Sequence, residues 1–193
     1  MLNKDLMQHT SLLPLISPTR DESPDAGDNT VEVTLAPGEF YFGDANTTIY
    51  TLLGSCIAIT LWHPLKLIGG MCHYLLPVRG ENKQLSYGHF ADDALALFME
   101  HLKSTESSPD EYEVKLFGGG NMFACLQPTN VGINVAQNNI AAGIDLLANH
   151  GFKIKTTDVG GTNYRKIHLE LDTGDVWVKR GQISLDKGGM QDV

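Results

Sequence analysis

The chain has 193 residues, which is enough for one domain that buries about 70% of its unfolded surface without a disulfide or metal. Apolar residues make up 42% and charged residues 19% of the chain, which is typical of globular proteins and excludes wholesale disorder. The net charge of −9, from 14 basic and 23 acidic residues, argues against nucleic acid or an anionic membrane surface as the main partner.

Cysteine usage and the apolar runs predict a cytoplasmic protein. The three cysteines lack the spacing of a disulfide framework and are typical of reduced thiols. The apolar stretch from Leu12 to Ile16 is too short for a signal peptide. No run approaches the roughly 18 apolar residues that a membrane span requires, so we expect no direct membrane insertion.

The two ends of the chain differ in composition from its middle. Residues 1–30 are rich in proline and acidic residues and low in hydrophobicity, which predicts a disordered N-terminal tail. The alternative is that Leu12 to Ile16 docks on a partner. Residues 31–180 are expected to form the folded domain, and residues 181–193 a second, shorter tail.

Strand patterns dominate the first half of the domain. Val31 to Leu35 alternates with a period of two, as a half-buried strand does. Further strands are predicted over Ile49 to Leu53, Cys56 to Trp62 and Leu67 to Leu76, because these segments are rich in β-branched and aliphatic residues.

Two helices are predicted in the second half. The first runs from Phe90 to Lys103, with one apolar face and acidic residues in its first turn. Ser104 to Glu113 is polar and is interpreted as a surface loop. The second helix runs from Asn139 to His150, and Gly151 is its expected C-terminal stop.

The last predicted elements are strands. Lys153 to Asp158 forms one strand, and Ile167 to Leu171 and Val176 to Val178 form a hairpin. Two apolar-faced helices with seven or more strands indicate an α+β domain whose helices pack on sheet faces.

Cys56 and His73 lie on two strands that a short reversal connects. If the turn is centred between Pro64 and Leu65, the two residues lie directly opposite each other, with Cβ atoms about 4.5–5.5 Å apart. A thiol has a pKa near 8.5, and a neighbouring imidazolium stabilises the thiolate, which is the nucleophile. Gly54 allows a sharp turn that directs backbone amides at a developing oxyanion.

Two structural interpretations of these residues stay open, and a metal site is a third that the sequence disfavours. Cys56 in an apolar strand is also compatible with an inert small hydrophobe, and His73 with a hydrogen-bonded structural residue. A metal site would draw on Cys56, Cys72, His63 and His73. Cys72 and His73 are adjacent on one strand and therefore point to opposite faces, and no CxxC or HxxxH motif is present. We therefore predict no metal site.

Several weaker motifs favour structural roles. The glycines of Phe117 to Phe123 lack the lysine and hydroxyl of a phosphate-binding loop, so close backbone packing or a bulge is favoured. Gly160 to Thr162 is interpreted as a turn. Cys125 is expected to be a packing residue. The basic pairs Arg165-Lys166 and Lys179-Arg180 are predicted to meet on neighbouring strands, where a solvated face is favoured over a binding patch.

Two motifs at this separation resemble a known family. Thr51 to Cys56, followed by Gly69 to Pro77, closely resembles the signature of the CheD family, which comprises bacterial chemotaxis proteins that deamidate glutamines on chemoreceptors. The further matches follow in family order: Ser86 to Gly88 with the helix after it, Lys115 to Phe123, Asp158 to Thr162, and the hairpin ending in Lys179-Arg180. The resemblance covers residues 33–180.

The resemblance implies a cysteine-hydrolase triad. It makes Cys56 the nucleophile, His73 the general base and Thr51 the residue that orients the histidine, with Thr47 and Thr48 as alternatives to Thr51. Gly54 and Ser55, which precede the nucleophile, are the expected substrate-binding residues. The family fold is a layered α/β sandwich with mixed or antiparallel sheets flanked by helices, like that of toxin-type cysteine deamidases. No cofactor is implied.

The function implied by the resemblance is protein-glutamine deamidation of methyl-accepting chemotaxis receptors. Hydrolysis of glutamyl methyl esters is a further reaction open to the same site, because only the leaving group differs. The alternative is a non-catalytic module that binds receptors or a CheC-type phosphatase. Retention of Cys56, His73 and Thr51 favours the enzyme, because binding alone needs no nucleophile and base.

The sequence departs from the family pattern at a few positions. Cys72 stands where the family usually has asparagine, and Gly120 stands where alanine is common. The segment Ala136 to Asn139 lacks the usual Gly-x-Arg-Asn pattern, which removes a positive charge. These departures leave the positions of the triad untouched.

Overall fold

Ten strands and two helices are described by a computed structural model that covers residues 30–80, 85–121, 135–184 and 189–192. In chain order these elements are β1 (Val31–Leu35), β2 (Phe40–Asp44), β3 (Thr47–Leu53), β4 (Ile57–His63), β5 (Ile68–Tyr74), α1 (Ala91–Ser104), β6 (Glu113–Gly118), α2 (Val135–Asn149), β7 (Ile154–Val159), β8 (Tyr164–Glu170), β9 (Val176–Ser184) and β10 (Gly189–Asp192). A single turn of 3₁₀ helix, Pro109–Glu111, precedes β6.

The strands form two mixed five-stranded sheets. The outer sheet has the order β1-β3-β8-β9-β10, in which only β1 and β3 are parallel. The inner sheet has the order β2-β5-β4-β6-β7, in which only β6 and β7 are parallel. The two sheets and the helices therefore stack as three layers, with the inner sheet in the middle.

Two hydrophobic clusters hold these layers together. One cluster joins the inner sheet to both helices, and its largest side chains include Tyr74 and Phe98. The other fills the space between the sheets and includes Ile49 and Leu53 from β3 and Met71 from β5. Because side chains alternate along a strand, β5 directs Cys72 to the helices and Met71 and His73 toward the outer sheet.

The predicted α+β fold with layered, mixed sheets flanked by helices is confirmed. Both helices cover the same face of the inner sheet. β2 was not predicted because its sequence, FYFGD, is a continuous aromatic run without alternation. This strand pairs with β5 at the edge of the inner sheet, and its aromatic side chains are half-buried. The second helix begins at Val135, four residues before the predicted start at Asn139.

The C-terminal segment differs from the expected tail. β9 continues to Ser184, and β10 pairs antiparallel with it, so Gly181 is bonded within the outer sheet between Tyr164 and Asp192. A tail that begins at residue 181 is therefore wrong for residues 181–184 and 189–192. The polar, glycine-containing composition that suggested a tail is compatible with a strand near a sheet edge. The predicted tail over residues 1–29 lies outside the described residues.

Candidate active site

A chain of hydrogen bonds crosses from the outer sheet to the inner sheet and ends at a histidine. The Thr51 Oγ1 atom lies 2.9 Å from the Leu35 carbonyl oxygen and 2.8 Å from His73 Nδ1. Thr51 and His73 are both buried. The hydroxyl that contacts the histidine therefore belongs to Thr51, on the inward face of β3.

Donor and acceptor chemistry fixes which nitrogen of His73 carries the proton. A carbonyl oxygen can only accept, so the hydroxyl hydrogen of Thr51 goes to the Leu35 carbonyl. The Thr51 oxygen then accepts from the Nδ1–H of His73. The lone pair is left on Nε2, which is buried and has no hydrogen-bond partner in the described structure.

Burial also fixes the charge of this imidazole. Removal from water lowers the pKa of His73 to about 4, because desolvation penalises the charged ring, and the Leu35 carbonyl only partly offsets this effect. His73 is therefore neutral at physiological pH. A neutral ring with its Nε2 lone pair unpaired is the form of histidine that accepts a proton as a general base.

The register of the β4–β5 hairpin differs from the predicted one by two residues. Ala58, and not Cys56, lies directly opposite His73. The prediction of direct opposition is wrong because the turn lies half-way between Leu65 and Lys66, one residue later than expected. A shift by two keeps the facing of side chains, so Cys56 is a diagonal neighbour of His73 on the same side of the hairpin.

Cys56 lies one residue before β4, at the edge of the cluster between the sheets. Its side chain is half-buried and packs against that cluster. Burial raises the pKa of the Cys56 thiol, while hydrogen bonds from the Ser55 side chain and from the backbone amide of Cys56 act in the opposite direction. The same groups that stabilise a thiolate can stabilise negative charge that develops beside the sulfur.

The resting pair is therefore uncharged, and the expected thiolate–imidazolium pair is not present. No hydrogen bond from the described residues reaches His73 Nε2, the pKa of His73 is lowered and that of Cys56 is raised. The two pKa shifts have one main cause, which is the removal of both groups from water. Proton transfer from sulfur to Nε2 must accompany the attack on substrate instead of preceding it.

Hydrogen bonds accepted by three backbone carbonyl groups hold the loop that carries Cys56 in place. The Gly120 amide donates to the Gly54 carbonyl at 2.7 Å, and the Gly119 amide donates to the Cys56 carbonyl at 2.8 Å. The side-chain amide of Asn139 donates to the Ser55 carbonyl between them at 3.3 Å. All three consecutive carbonyls of this loop are therefore hydrogen-bonded.

Gly118, Gly119 and Gly120, at the end of β6, allow this segment to approach the backbone of the Cys56 loop closely. A Cβ atom on Gly118, where φ is +110°, would lie 2.2 Å from the Cys56 carbonyl oxygen. A Cβ atom on Gly120 would lie 2.5 Å from the Asn163 carbonyl oxygen. The expectation that these glycines permit close backbone packing is confirmed, since only residues without a side chain fit here.

The residues that competed for a metal site are separated. Cys72 is buried in the cluster that faces the helices, where burial raises the pKa of its thiol to about 12. The His63 Nδ1 atom accepts from the amides of Leu65 and Lys66 in the β4–β5 turn. Within the ranges that the structure covers, no group of three potential ligands is close enough to hold a metal ion.

The paired basic residues are less solvated than expected. Arg165 lies opposite Arg180 on β8 and β9, as predicted. Arg165 is only 4% exposed, and both arginines donate to Asp158, at 3.0 Å and 2.8 Å. Arg165 also donates to the Gly160 carbonyl, so this ion pair fixes the predicted turn. Cys125 lies outside the described residues.

Sequence reasoning missed two groups at this site. The Leu35 carbonyl is a backbone group and leaves no signal in the sequence. Asn139 was predicted only as the start of the second helix and as part of the segment that departs from the family pattern. Its helical spacing from Gly143 and Leu147, which share the buried face of α2, was the signal available. A polar residue at an apolar helix position needs a hydrogen-bonded role.

Fold and site together define an α+β sandwich in which a threonine contacts a histidine between two mixed sheets, and a cysteine lies diagonally from that histidine on the same side of the hairpin. The family described as "CheD chemotactic sensory transduction" matches residues 75–180. The chain belongs to the CheD family.

Relatives of known name extend this match over most of the chain. "Probable chemoreceptor glutamine deamidase CheD 3" of Dechloromonas aromatica is 46% identical over 148 residues, which cover 76% of this chain and 86% of that protein. The similarly named "Probable chemoreceptor glutamine deamidase CheD" of Pseudomonas syringae pv. tomato is 41% identical over 80% of this chain and 92% of its own length. The protein of that name from Pseudomonas fluorescens is 44% identical over 81% and 88%.

A solved structure, the hypothetical protein YfiH of Bacillus licheniformis, is 10% identical over 64% of this chain and 51% of its own, with a TM-score of 0.42. Neither helix among the described residues is long and apolar enough to cross a membrane.

Proposed function

We propose that this protein deamidates glutamine side chains of methyl-accepting chemotaxis receptors in the cytoplasm. The observation that carries the proposal is the chain from Leu35 through Thr51 to His73, which ends in a buried, unpaired Nε2 atom on the side of the hairpin that Cys56 shares. Leaving a buried polar atom unpaired costs roughly 1–3 kcal/mol. Native structures retain such an unpaired buried atom where it takes part in a reaction, here as the proton acceptor. The names of the relatives supply the substrate.

The first half of the reaction forms a thioester. The Cys56 sulfur attacks the carboxamide carbon of the glutamine while its proton passes to His73 Nε2. The carbonyl oxygen of the substrate becomes negative and is stabilised by backbone amides of the Gly54–Cys56 loop. His73 then gives its proton to the departing nitrogen, which breaks the carbon–nitrogen bond and releases ammonia.

The second half restores the enzyme. A water molecule gives a proton to His73 Nε2 and attacks the thioester carbon. The carbon–sulfur bond breaks, the proton returns to the Cys56 sulfur, and the receptor keeps a glutamate. Thr51 holds the ring of His73 in one tautomer throughout, since its oxygen accepts from Nδ1–H in every state.

Attack requires a rearrangement that is small in scale. Cys56 and His73 are diagonal neighbours, and diagonal positions on a hairpin are about 7–8 Å apart. We expect a change of the Cys56 side-chain rotamer to bring the sulfur toward Nε2. Apo enzymes often show long catalytic contacts that tighten when substrate binds.

The proposal has two extensions, one from the chemistry of the site and one from the family resemblance. A glutamyl methyl ester differs from glutamine only in its leaving group, so the proposed site also hydrolyses receptor methyl esters, with methanol leaving in place of ammonia. A CheC-type phosphatase is the partner that the family resemblance suggests, and we propose that it competes with receptors for this domain.

The test is mass spectrometry of receptor cytoplasmic fragments after incubation with the protein in heavy-oxygen water. We expect selected glutamines to become glutamates that carry heavy oxygen. The Cys56→Ala and His73→Ala variants should produce none. Conversion by Cys56→Ala at the wild-type rate would contradict the proposal.

The binding-module alternative gives a different result in the same experiment. It predicts that wild-type protein binds receptor fragments and leaves their mass unchanged. It also predicts that Cys56→Ala restores chemotaxis in a strain that lacks the protein.

A further inference from the structure

We propose that Asn139 is a positioning residue that ties the loop bearing Cys56 to the strand end bearing His73, and so sets the approach of the sulfur to the imidazole. This inference rests on the proposed deamidase function. It concerns a residue of α2 that contacts neither the sulfur nor the imidazole.

The first half of the tie is a hydrogen bond to the Cys56 loop. Of the three consecutive carbonyls in this loop, those of Gly54 and Cys56 are held by backbone amides. The middle carbonyl, of Ser55, is held by the Asn139 Nδ2 atom at 3.3 Å. Asn139 is thus the side chain that fixes the peptide group joining Ser55 to Cys56, whose nitrogen belongs to the nucleophile.

The second half of the tie is a hydrogen bond to the chain after β5. The same Nδ2 atom lies 2.7 Å from the carbonyl oxygen of Leu75, two residues beyond His73. An amide NH₂ has two hydrogens, and each one serves one of these carbonyls. A single planar group therefore spans the two segments whose relative position decides whether Cys56 reaches His73.

The helix that carries Asn139 is itself held in place beside the site. The Tyr74 hydroxyl donates to the Asn139 backbone carbonyl at 2.7 Å. A Cβ atom on Gly143, one turn further along α2, would lie 2.4 Å from that hydroxyl. Tyr74 is fully buried and adjacent to His73, so this hydrogen bond links α2 to the residue next to the base.

The chemistry of the site requires an amide here. Asn139 is completely buried, and its Oδ1 atom has no partner in the described structure. The flipped amide would place Oδ1 against two carbonyl oxygens, so only the observed orientation satisfies them. Aspartate, which has the same shape, would repel both carbonyls when ionised, and when protonated it could donate to just one.

The test compares Asn139→Ala and Asn139→Asp with the wild type in receptor-fragment deamidation. We expect kcat to fall about ten- to a hundredfold for both variants, because a misplacement of the order of 1 Å is that costly, while KM changes little. The activity of Asn139→Asp relative to wild type should rise as the pH falls, because protonation restores one donor. The matched control is Asn138→Ala, the exposed neighbour on the same helix, which should behave as wild type.

A second readout separates positioning from general loss of structure. Iodoacetamide labelling, mapped by peptide mass, should be faster at Cys56 in Asn139→Ala, because the released loop exposes the sulfur. Cys72, which is 1% exposed in the core, should stay protected. Faster labelling at Cys56 with slower deamidation is the combination that the proposal predicts.

Three outcomes would overturn the inference. Asn139→Ala with wild-type kcat would show that the tie is not needed. Parallel labelling of Cys56 and Cys72 would show that the substitution only unfolds the protein. A constant activity ratio of Asn139→Asp to wild type across pH would exclude the donor role. Failure of the proposed function is distinct, because wild-type protein would then leave receptor fragments unchanged, or Cys56→Ala would retain deamidation, whatever Asn139 does.

Discussion

Replacement of Thr51 by valine removes one oxygen atom and leaves the volume of the side chain nearly unchanged. The Leu35 carbonyl then loses a donor and the Nδ1–H group of His73 loses an acceptor. Both groups are buried between the sheets, where water cannot replace the lost partner. The substitution therefore tests the hydrogen-bond chain without opening a cavity.

The contacts give the expected magnitudes. An unsatisfied buried group costs about 1–3 kcal/mol, so two such groups at about 1.5 kcal/mol each lower the free energy of unfolding by about 3 kcal/mol. For a protein of this size that corresponds to a decrease in Tm of about 6–12 °C. Without the threonine oxygen, His73 is no longer held with its proton on Nδ1. We expect kcat to fall about ten- to a hundredfold, which equals about 1.4–2.7 kcal/mol.

The assay is the initial rate of receptor-fragment deamidation, measured well below Tm, together with calorimetric unfolding. Thr51→Ser is the matched control, because it keeps the hydroxyl and should retain activity within about threefold. KM should be unaffected, since Thr51 lies behind the histidine. Wild-type kcat in Thr51→Val would refute the role of the hydrogen-bond chain.

Three further predictions concern the glycine segment and the two titrating groups. Gly118→Ala should abolish deamidation, because its Cβ atom would lie 2.2 Å from the Cys56 carbonyl oxygen. The control is Gly160→Ala, whose position shares the positive φ but has nothing within 4 Å of an added Cβ atom, so this variant should stay active. Deamidation rates of both variants test this prediction. Burial lowers the pKa of His73 from 6.5 to about 4, so the unfolded chain binds the extra proton between these values and the free energy of unfolding should fall by about 3 kcal/mol as the pH drops through this window. Denaturant titrations should show this loss in wild type and not in His73→Asn. Because burial raises the pKa of the Cys56 thiol, iodoacetamide should label Cys56 slowly at neutral pH and faster as the pH rises. Cys72, whose thiol has a pKa of about 12, should stay unreactive. Fast labelling of Cys56 at pH 6 would contradict this prediction, because it would indicate a resting thiolate.

Periodicity in the sequence was sufficient to predict most elements of the fold. The alternating Val31–Leu35 and the amphipathic α1 have local patterns that tertiary contacts reinforce. β2 was missed because an edge strand with half-buried aromatic side chains has no alternation. The strand nature of residues 181–184 was also missed, because it depends on pairing with β8 and β10, which local composition does not reveal.

The residues of the candidate site were proposed from the sequence, but its geometry and protonation could not be. The shared facing of Cys56 and His73 follows from the period of two, but the register depends on where the turn after His63 begins, and that position was predicted one residue early. The neutral state of His73 depends on burial between two sheets, which a pattern of residues cannot show. The Leu35 carbonyl and the tie through Asn139 arise only when distant segments meet.

The most direct test of the central claim is interception of the acyl group that Cys56 is proposed to carry. Receptor fragments are incubated with the protein and hydroxylamine, and glutamyl hydroxamate is quantified at each glutamine by peptide mass spectrometry. A thioester intermediate predicts hydroxamate at the same glutamines that water converts to glutamate, with wild-type protein and not with Cys56→Ala. Conversion to glutamate with no hydroxamate at any concentration of hydroxylamine, or equal hydroxamate from Cys56→Ala, would contradict the account.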